Sequence, residues 1–303
     1  MKWSKRTLPS ETCTAGATTN IDIARDYFIQ KMILFVDIQY DTGSSVSKTG
    51  TIWDVVSKVE LKREGKRSDV FFSLSGNQIY NLTTYDTMKS PQYTDFITTT
   101  GQSDQHAYAY VPVDLRIDKW NDRDASALLD SFNYSSLKLA LTFGSASTVG
   151  TGYTFDSITV YPTLFEAIPE GVADKSAPRY NHVLSFTSFG SIGENQGCDF
   201  RTGNLMRRFI LITSSNTAIN FFEVKSGSAN IIPKTHFLTA QEADQEEYGV
   251  TKATGYVITD FSEINAVDGA LDLLEAKQGD VKLFIYPSSS TASVTVIYDL
   301  LEK

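Results

Sequence analysis

The sequence predicts an all-β protein built as two tandem β-sandwich units, with a few short helices between strands. Three observations support this. Apolar and polar residues alternate along many short runs. Clusters of glycine, serine and asparagine break those runs at short intervals. A series of elements in the first half recurs in the second.

Alternation is clearest in WDVVSKVEL, where Trp53, Val55, Val59 and Leu61 face one way and Asp54, Lys58, Glu60 and Lys62 the other. A half-buried strand has this period of two. Leu137, Leu139, Leu141 and Phe143 repeat it, as do Val281, Leu283 and Ile285, and then Val294, Val296, Tyr298 and Leu300. The breaks fall at Gly43-Ser44-Ser45, Gly65, Gly76-Asn77, Gly144 to Ser147, Ser226-Gly227-Ser228 and Ser288 to Ser290. Two stripes have helical spacing: Ala125, Leu128, Leu129 and Phe132 after Asn121 or Asp122, and Ile264, Val267, Leu271 and Leu274. Thr239 with Glu242 has the form of a capping box opening the acidic stretch QEADQEE.

The recurrence pairs YVPVDLRIDKWNDRDASALLDSFNYSSLKLALTFG, from Tyr110, with YVITDFSEINAVDGALDLLEAKQGDVKLFIYPS, from Tyr256. A final strand follows each, SITVYPTLFEA and SVTVIYDLLEK. Upstream, DVFFSLSGNQIYN from Asp69 parallels INFFEVKSGSANII from Ile219. Three matches in one order indicate a duplicated domain. The expected division is an N-terminal arm over 1–24, a first unit over 25–167, a linker over 168–180 carrying Pro169, Gly171 and Pro178, and a second unit over 181–303.

Composition narrows the function. The chain has 303 residues with 27 basic and 36 acidic side chains, a formal net charge of −9. Phosphate binding needs a dense basic face, so sequence-specific nucleic-acid binding is not expected. Two cysteines, Cys13 and Cys198, cannot make a disulfide framework. The basic start MKWSKRTLPS lacks an apolar stretch, so no export signal is expected, and no apolar run approaches a bilayer span.

About eight strands per unit, with short helices between later strands, fits a jelly roll: two four-stranded sheets packed face to face. Two such units in tandem resemble the double jelly-roll major capsid proteins of tailless icosahedral, membrane-containing bacteriophages of the corticovirus and finnlakevirus type. The resemblance is carried by VVSKVELKREGKRSDVFFSLSGNQIYNLTTYDT, with its Ser-Gly-Asn turn, and by the twin helix-strand modules, over about residues 25 to 303. It implies a homotrimer of nearly hexagonal outline tiling an icosahedral shell over an internal membrane. Neighbouring trimers and vertex, penton or minor capsid proteins are its implied partners. Synthesis in a host cytoplasm and residence in the virion follow from the same resemblance.

No reactive constellation accompanies this architecture, so neither an enzyme nor a cofactor is expected. His106, His182 and His236 stand singly, which fails the ligand count of a cupin metal site, and each is expected at a surface or turn. A G-x-S-x-G elbow and a phosphate-cradling loop are both missing. Cys198 reads as a free thiol in a loop. The pairs Asp122 with Asp124 and Glu242 with Asp244 read as solvated carboxylates.

Two basic features are candidate contact sites. Lys2, Trp3, Lys5 and Arg6 form an arm suited to an anionic lipid surface, and in related capsids this segment lies toward the membrane. Lys58, Lys62, Arg63, Lys66 and Arg67 surround one hairpin, read as a lysine-protected edge or an inter-subunit charged patch. The alternative function is a tandem jelly-roll carbohydrate-binding or receptor-binding spike protein. Tyr80, Tyr85, Tyr93, Tyr108 and Tyr110 would then be stacking platforms for sugar.

Overall fold

The computed structural model describes residues 1–64, 69–119, 121–176, 179–251, 253–261 and 269–302. Lys66 and Arg67 of the hairpin, Ile264 and Val267 of the second helical stripe, and Pro178 lie outside them. The chain divides into two compact units, Met1–Tyr180 and Asn181–Lys303.

The longer strands of the first unit are β1 (Lys2–Thr7), β2 (Thr18–Asp22), β3 (Phe28–Lys48), β4 (Val56–Glu64), β5 (Asp69–Leu74), β6 (Gln105–Asp114), β7 (Ser136–Phe143) and β8 (Gly150–Ile168). One sheet runs β1-β8-β3-β6 and the other β2-β7-β4-β5, with all these pairings antiparallel. The second unit has β9 (Asn181–Gly193), β10 (Gly197–Asp199), β11 (Leu205–Thr213), β12 (Ile219–Ser226), β13 (Ala229–His236), β14 (Tyr256–Asp260), β15 (Val281–Pro287) and β16 (Thr291–Glu302). Its sheets run β9-β16-β11-β14 and β10-β15-β12-β13. Each unit therefore orders its strands first-eighth-third-sixth and second-seventh-fourth-fifth. This interleaving defines the jelly roll, and both units have it.

Inward positions build each core. Along β3, Met32, Leu34, Val36, Ile38 and Tyr40 are sealed from solvent, and Val59 and Leu61 of β4 and Leu139 and Leu141 of β7 are sealed likewise. Each such side chain contributes roughly 1.5–3 kcal/mol. In β15 the buried set is Val281, Leu283 and Ile285, as alternation requires. Strand β16 departs from alternation. Ile297, Asp299 and Leu301 are buried along with Val296, Tyr298 and Leu300.

A helix joins the fifth and sixth strands in both units. Helix α1 (Gly76–Thr87) begins at a true capping box. The Gln78 N–H donates to the Ser75 hydroxyl (3.3 Å), and the Ser75 N–H donates to Gln78 Oε1 (2.9 Å). The Ser-Gly-Asn segment is thus a helix start and not a strand turn. A Cβ at Gly76 would meet the Trp53 carbonyl at 2.5 Å, so the close approach of α1 to the helical turn Ile52–Val55 requires glycine. Helix α2 (Phe237–Tyr248) holds the acidic stretch, but starts before Thr239. His236 is its cap and accepts the Thr239 N–H. Gly249 ends it in the left-handed region, φ +62°, with its N–H on the Gln245 carbonyl.

Several expectations are corrected. The stripe after Asn121 is not helical: it holds the two-residue strand Leu129–Asp130 and a 3-10 turn, Ser131–Asn133. The reason is Asp124, whose carboxylate accepts the N–H groups of Ile117 (3.1 Å), Asp118 (3.0 Å) and Ser126 (2.9 Å) and fixes a loop instead. Leu271, assigned to the second stripe, is in a short strand with Asp272. Phe71-Phe72 lies on a fifth strand and Phe221-Phe222 on a fourth, so that pair does not correspond between the units. The matches from Tyr110 and Tyr256 onward do correspond at strand level. Residues 1–24 are not an arm outside the barrel, because β1 and β2 are its first two strands. The linker region is held by the first unit. The Met1 amine bonds Glu170 (2.7 Å), and the Arg179 guanidinium lies 4.3 Å over the Phe28 ring.

Candidate assembly surfaces

The four residues of the expected N-terminal arm are held in β1, which pairs along its whole length with the end of β8. Trp3 packs against the buried cluster of Phe28, Leu128 and Ala167. Arg6 pairs with Asp26 (2.9 Å) and with Glu166, a carboxylate almost wholly removed from water. Lys2 and Lys5 remain exposed.

The charged hairpin is also engaged within the chain. Lys58 (2.6 Å) and Lys62 (2.9 Å) flank Glu60. Burial alone would raise the Glu60 carboxyl, and the two ammonium groups outweigh it and hold it low. Arg63 turns inward, donates to the Tyr134 hydroxyl (3.1 Å) and lies over the Phe71 ring. Strand β4 pairs on both sides, with β7 and β5, so it is not an edge.

The histidines fill three separate structural roles. His106 is exposed and pairs with Asp37 (2.9 Å). His236 caps α2. His182 is neither at the surface nor in a turn, because it belongs to a buried charged cluster. Its Nε2 lies 2.6 Å from Asp299 Oδ1, while Arg208 Nε (2.8 Å) and Arg207 Nη1 (3.4 Å) reach Oδ2. Burial would raise the Asp299 carboxyl, but His182, Arg207 and Arg208 hold it well below the usual carboxylate range. Consecutive arginines inside LMRRFILIT and an aspartate inside VIYDLL were the sequence signal for this cluster. Cys198 lies in the short strand β10, and Cys13 is buried; burial pushes both thiols up. Among the described residues no group of three His, Cys, Asp or Glu side chains could hold a metal ion.

The paired carboxylates are not both solvated. Asp122 is exposed and Asp124 buried; Glu242 is exposed and Asp244 buried. Asp244 accepts the Ile258 N–H (2.7 Å), and Gln241 Nε2 donates to the carbonyls of Ala253 (3.1 Å) and Tyr256 (3.0 Å). Helix α2 thereby covers the free edge of β14.

The tyrosines expected as stacking platforms separate into three places. Tyr85 is in the core, Tyr80 and Tyr93 pack with Trp53, and Tyr108 and Tyr110 join another group. That group stands on the outer face of the sheet β1-β8-β3-β6. Tyr161, Phe35 and Tyr110 sit directly opposite one another on β8, β3 and β6. Phe35 is 5.8 Å from Tyr161, 5.0 Å from Tyr110 and 5.7 Å from Tyr108, centroid to centroid. Tyr110 and Tyr161 keep 41% and 40% of their surface exposed. Sequence reading missed Phe35 and Tyr161. Phe35 is flanked by buried Leu34 and Val36, and in an all-apolar run the outward position carries no polar mark.

No protein-family model and no curated protein matches the chain. Its likeness is to solved structures. The major capsid protein of Sulfolobus Turreted Icosahedral Virus superposes with a TM-score of 0.79 at 18% identity, covering 100% of this chain and 97% of that chain. The major capsid protein of Bacteriophage PM2 gives 0.65 at 11% identity, covering 99% and 97%. The Faustovirus major capsid protein gives 0.64 at 9% identity, covering 99% and 90%. At these identities the likeness establishes the fold, and the chain is a double jelly-roll protein.

Proposed function

We propose that the chain is a major capsid protein that self-assembles as trimers into an icosahedral shell. The observation that carries this reading is the full-length match: both jelly rolls, and nothing less, align with a virion shell subunit over 100% of this chain and 97% of that one. The physical rationale is geometric. Paired sheets bury their inward faces and make stiff blocks, and three two-block subunits present six blocks in a nearly hexagonal outline. Neighbouring trimers and vertex or minor capsid proteins are its partners under this reading, and the virion its location. Lipid contact rests on the exposed Lys2 and Lys5, since Trp3 and Arg6 are engaged inside the sheet. Under this reading the net charge of −9 favours genome condensation by another component.

Light scattering tests the reading. Three copies of the 33.6 kDa chain predict a particle of about 101 kDa (3 × 33.6), with hexagonal projections in negative stain. A chain that stays monomeric at every concentration refutes it. Glycan binding is the second reading, favoured by the exposed rings of Tyr110 and Tyr161. Calorimetric titration with a sugar panel tests it.

A further inference from the structure

The outer face of β1-β8-β3-β6 has an unusual composition for a solvated sheet face, which is normally polar. Its ladder of Tyr161, Phe35 and Tyr110, widened by Tyr108, crosses three strands in register. Four residues further along the same strands stands a basic site. Lys5 and Lys31 lie 5.6 Å and 4.7 Å from the Phe165 ring, and Lys31 also reaches the exposed Asp122 (3.5 Å). The four residues from Tyr161 to Phe165, or from Phe35 to Lys31, separate the aromatic row from the lysines by about 14 Å.

A complementary stripe exists on helix α2. Leu238 is an exposed large apolar residue, and Glu242 and Glu246 follow it at four-residue spacing, all turned outward. Eight residues of helix span about 12 Å. Leu238 over the aromatic row would therefore bring Glu246 to the lysines. Charge, polarity and spacing agree.

We propose that the Tyr161-Phe35-Tyr110 face of one copy docks helix α2 of a second copy, with Leu238 on the rings and Glu242 and Glu246 toward Lys5 and Lys31. This rests on the self-assembly reading and names its contact surface. The contact is heterologous, so each copy offers one face and one helix, and a rotation that closes produces a ring. Exposed aromatic patches with a charged rim are typical of protein interfaces.

The test uses the full chain, with sedimentation equilibrium and light scattering. Three variants are compared: Tyr110→Ser with Tyr161→Ser, Lys5→Glu with Lys31→Glu, and Glu242→Lys with Glu246→Lys. Each is expected to weaken association at least tenfold while circular dichroism stays unchanged. The fourfold variant that reverses both charge sets should regain most of the lost association, which misfolding cannot mimic. Loss without recovery would overturn α2 as the occupant. Association unchanged in all three variants, with sugar binding lost in the tyrosine variant, would assign the face to a glycan. Unchanged association without sugar binding would overturn this surface and leave self-assembly standing. A monomeric parent chain would overturn both.

Discussion

Replacing Asp244 with asparagine isolates one buried charge at the edge of the second jelly roll. Asp244 is 5% exposed, and burial pushes its carboxyl from 3.8 up to about 7. The Ile258 N–H pulls the other way, and Glu247 adds repulsion. The folded state therefore favours the protonated acid. Stability linked to Asp244 is complete below about pH 4 and is lost as pH rises through about 7. At 1.36 kcal/mol per unit, the whole shift is worth about 4 kcal/mol, and about 2–3 kcal/mol of it falls between pH 5 and pH 8. Asparagine keeps an oxygen for the Ile258 N–H and carries no charge. Thermal unfolding of parent and Asp244→Asn chains at pH 5 and pH 8 should show a growing advantage for the variant, several degrees in Tm at pH 8. Parallel pH dependence in the two proteins would refute a strained carboxylate at this edge.

Asp299→Asn should cost about 3–5 kcal/mol, because His182, Arg207 and Arg208 lose their buried anion. Denaturant unfolding at neutral pH measures it, and the depressed Asp299 carboxyl gives the sign with acid: its contribution persists above the unfolded value near 4 and fades only as pH falls well below it. Arg6→Met should cost about 1–2 kcal/mol, since Glu166 is buried while Arg6 is partly screened by solvent; no loss in urea unfolding would contradict a structural role for β1. Met88→Gly should add about 0.5–1 kcal/mol, because Met88 ends α1 at φ +53° with half its surface exposed. A lower Tm would show that its side chain makes a contact worth more than the backbone relief.

The jelly-roll pair was legible because alternation and turn clusters are local, and they recur in both halves. Strands β7 and β15 follow their patterns closely, whereas of WDVVSKVEL only Val59 and Leu61 keep their expected inward places in β4: Trp53 and Val55 lie in the helical turn Ile52–Val55, and Glu60 is buried between two lysines. Legibility failed where a polar side chain turned from solvent to backbone. Asp124 bonds three N–H groups and prevents the helix that Ala125, Leu128 and Leu129 suggest. The pattern Ser75-x-x-Gln78 has the full form of a capping box, but its Ser-Gly-Asn core is equally the composition of a turn. The N-terminal segment looked like an arm because its charges conceal its pairing: a first strand can be mostly polar when its partner, β8, supplies the apolar face. The outward ring of Phe35 was invisible because only three-dimensional exposure distinguishes it from Leu34.

Helix α2 has one more consequence. By occupying the Ile258 N–H and the Tyr256 carbonyl, it removes two of the outward backbone groups that a foreign strand would pair with. A strand adding along that margin would first have to displace the side chains of Asp244 and Gln241. Contacts between copies through side chains at such a margin are reversible and sensitive to salt, whereas zipped strands tend toward permanent fibres.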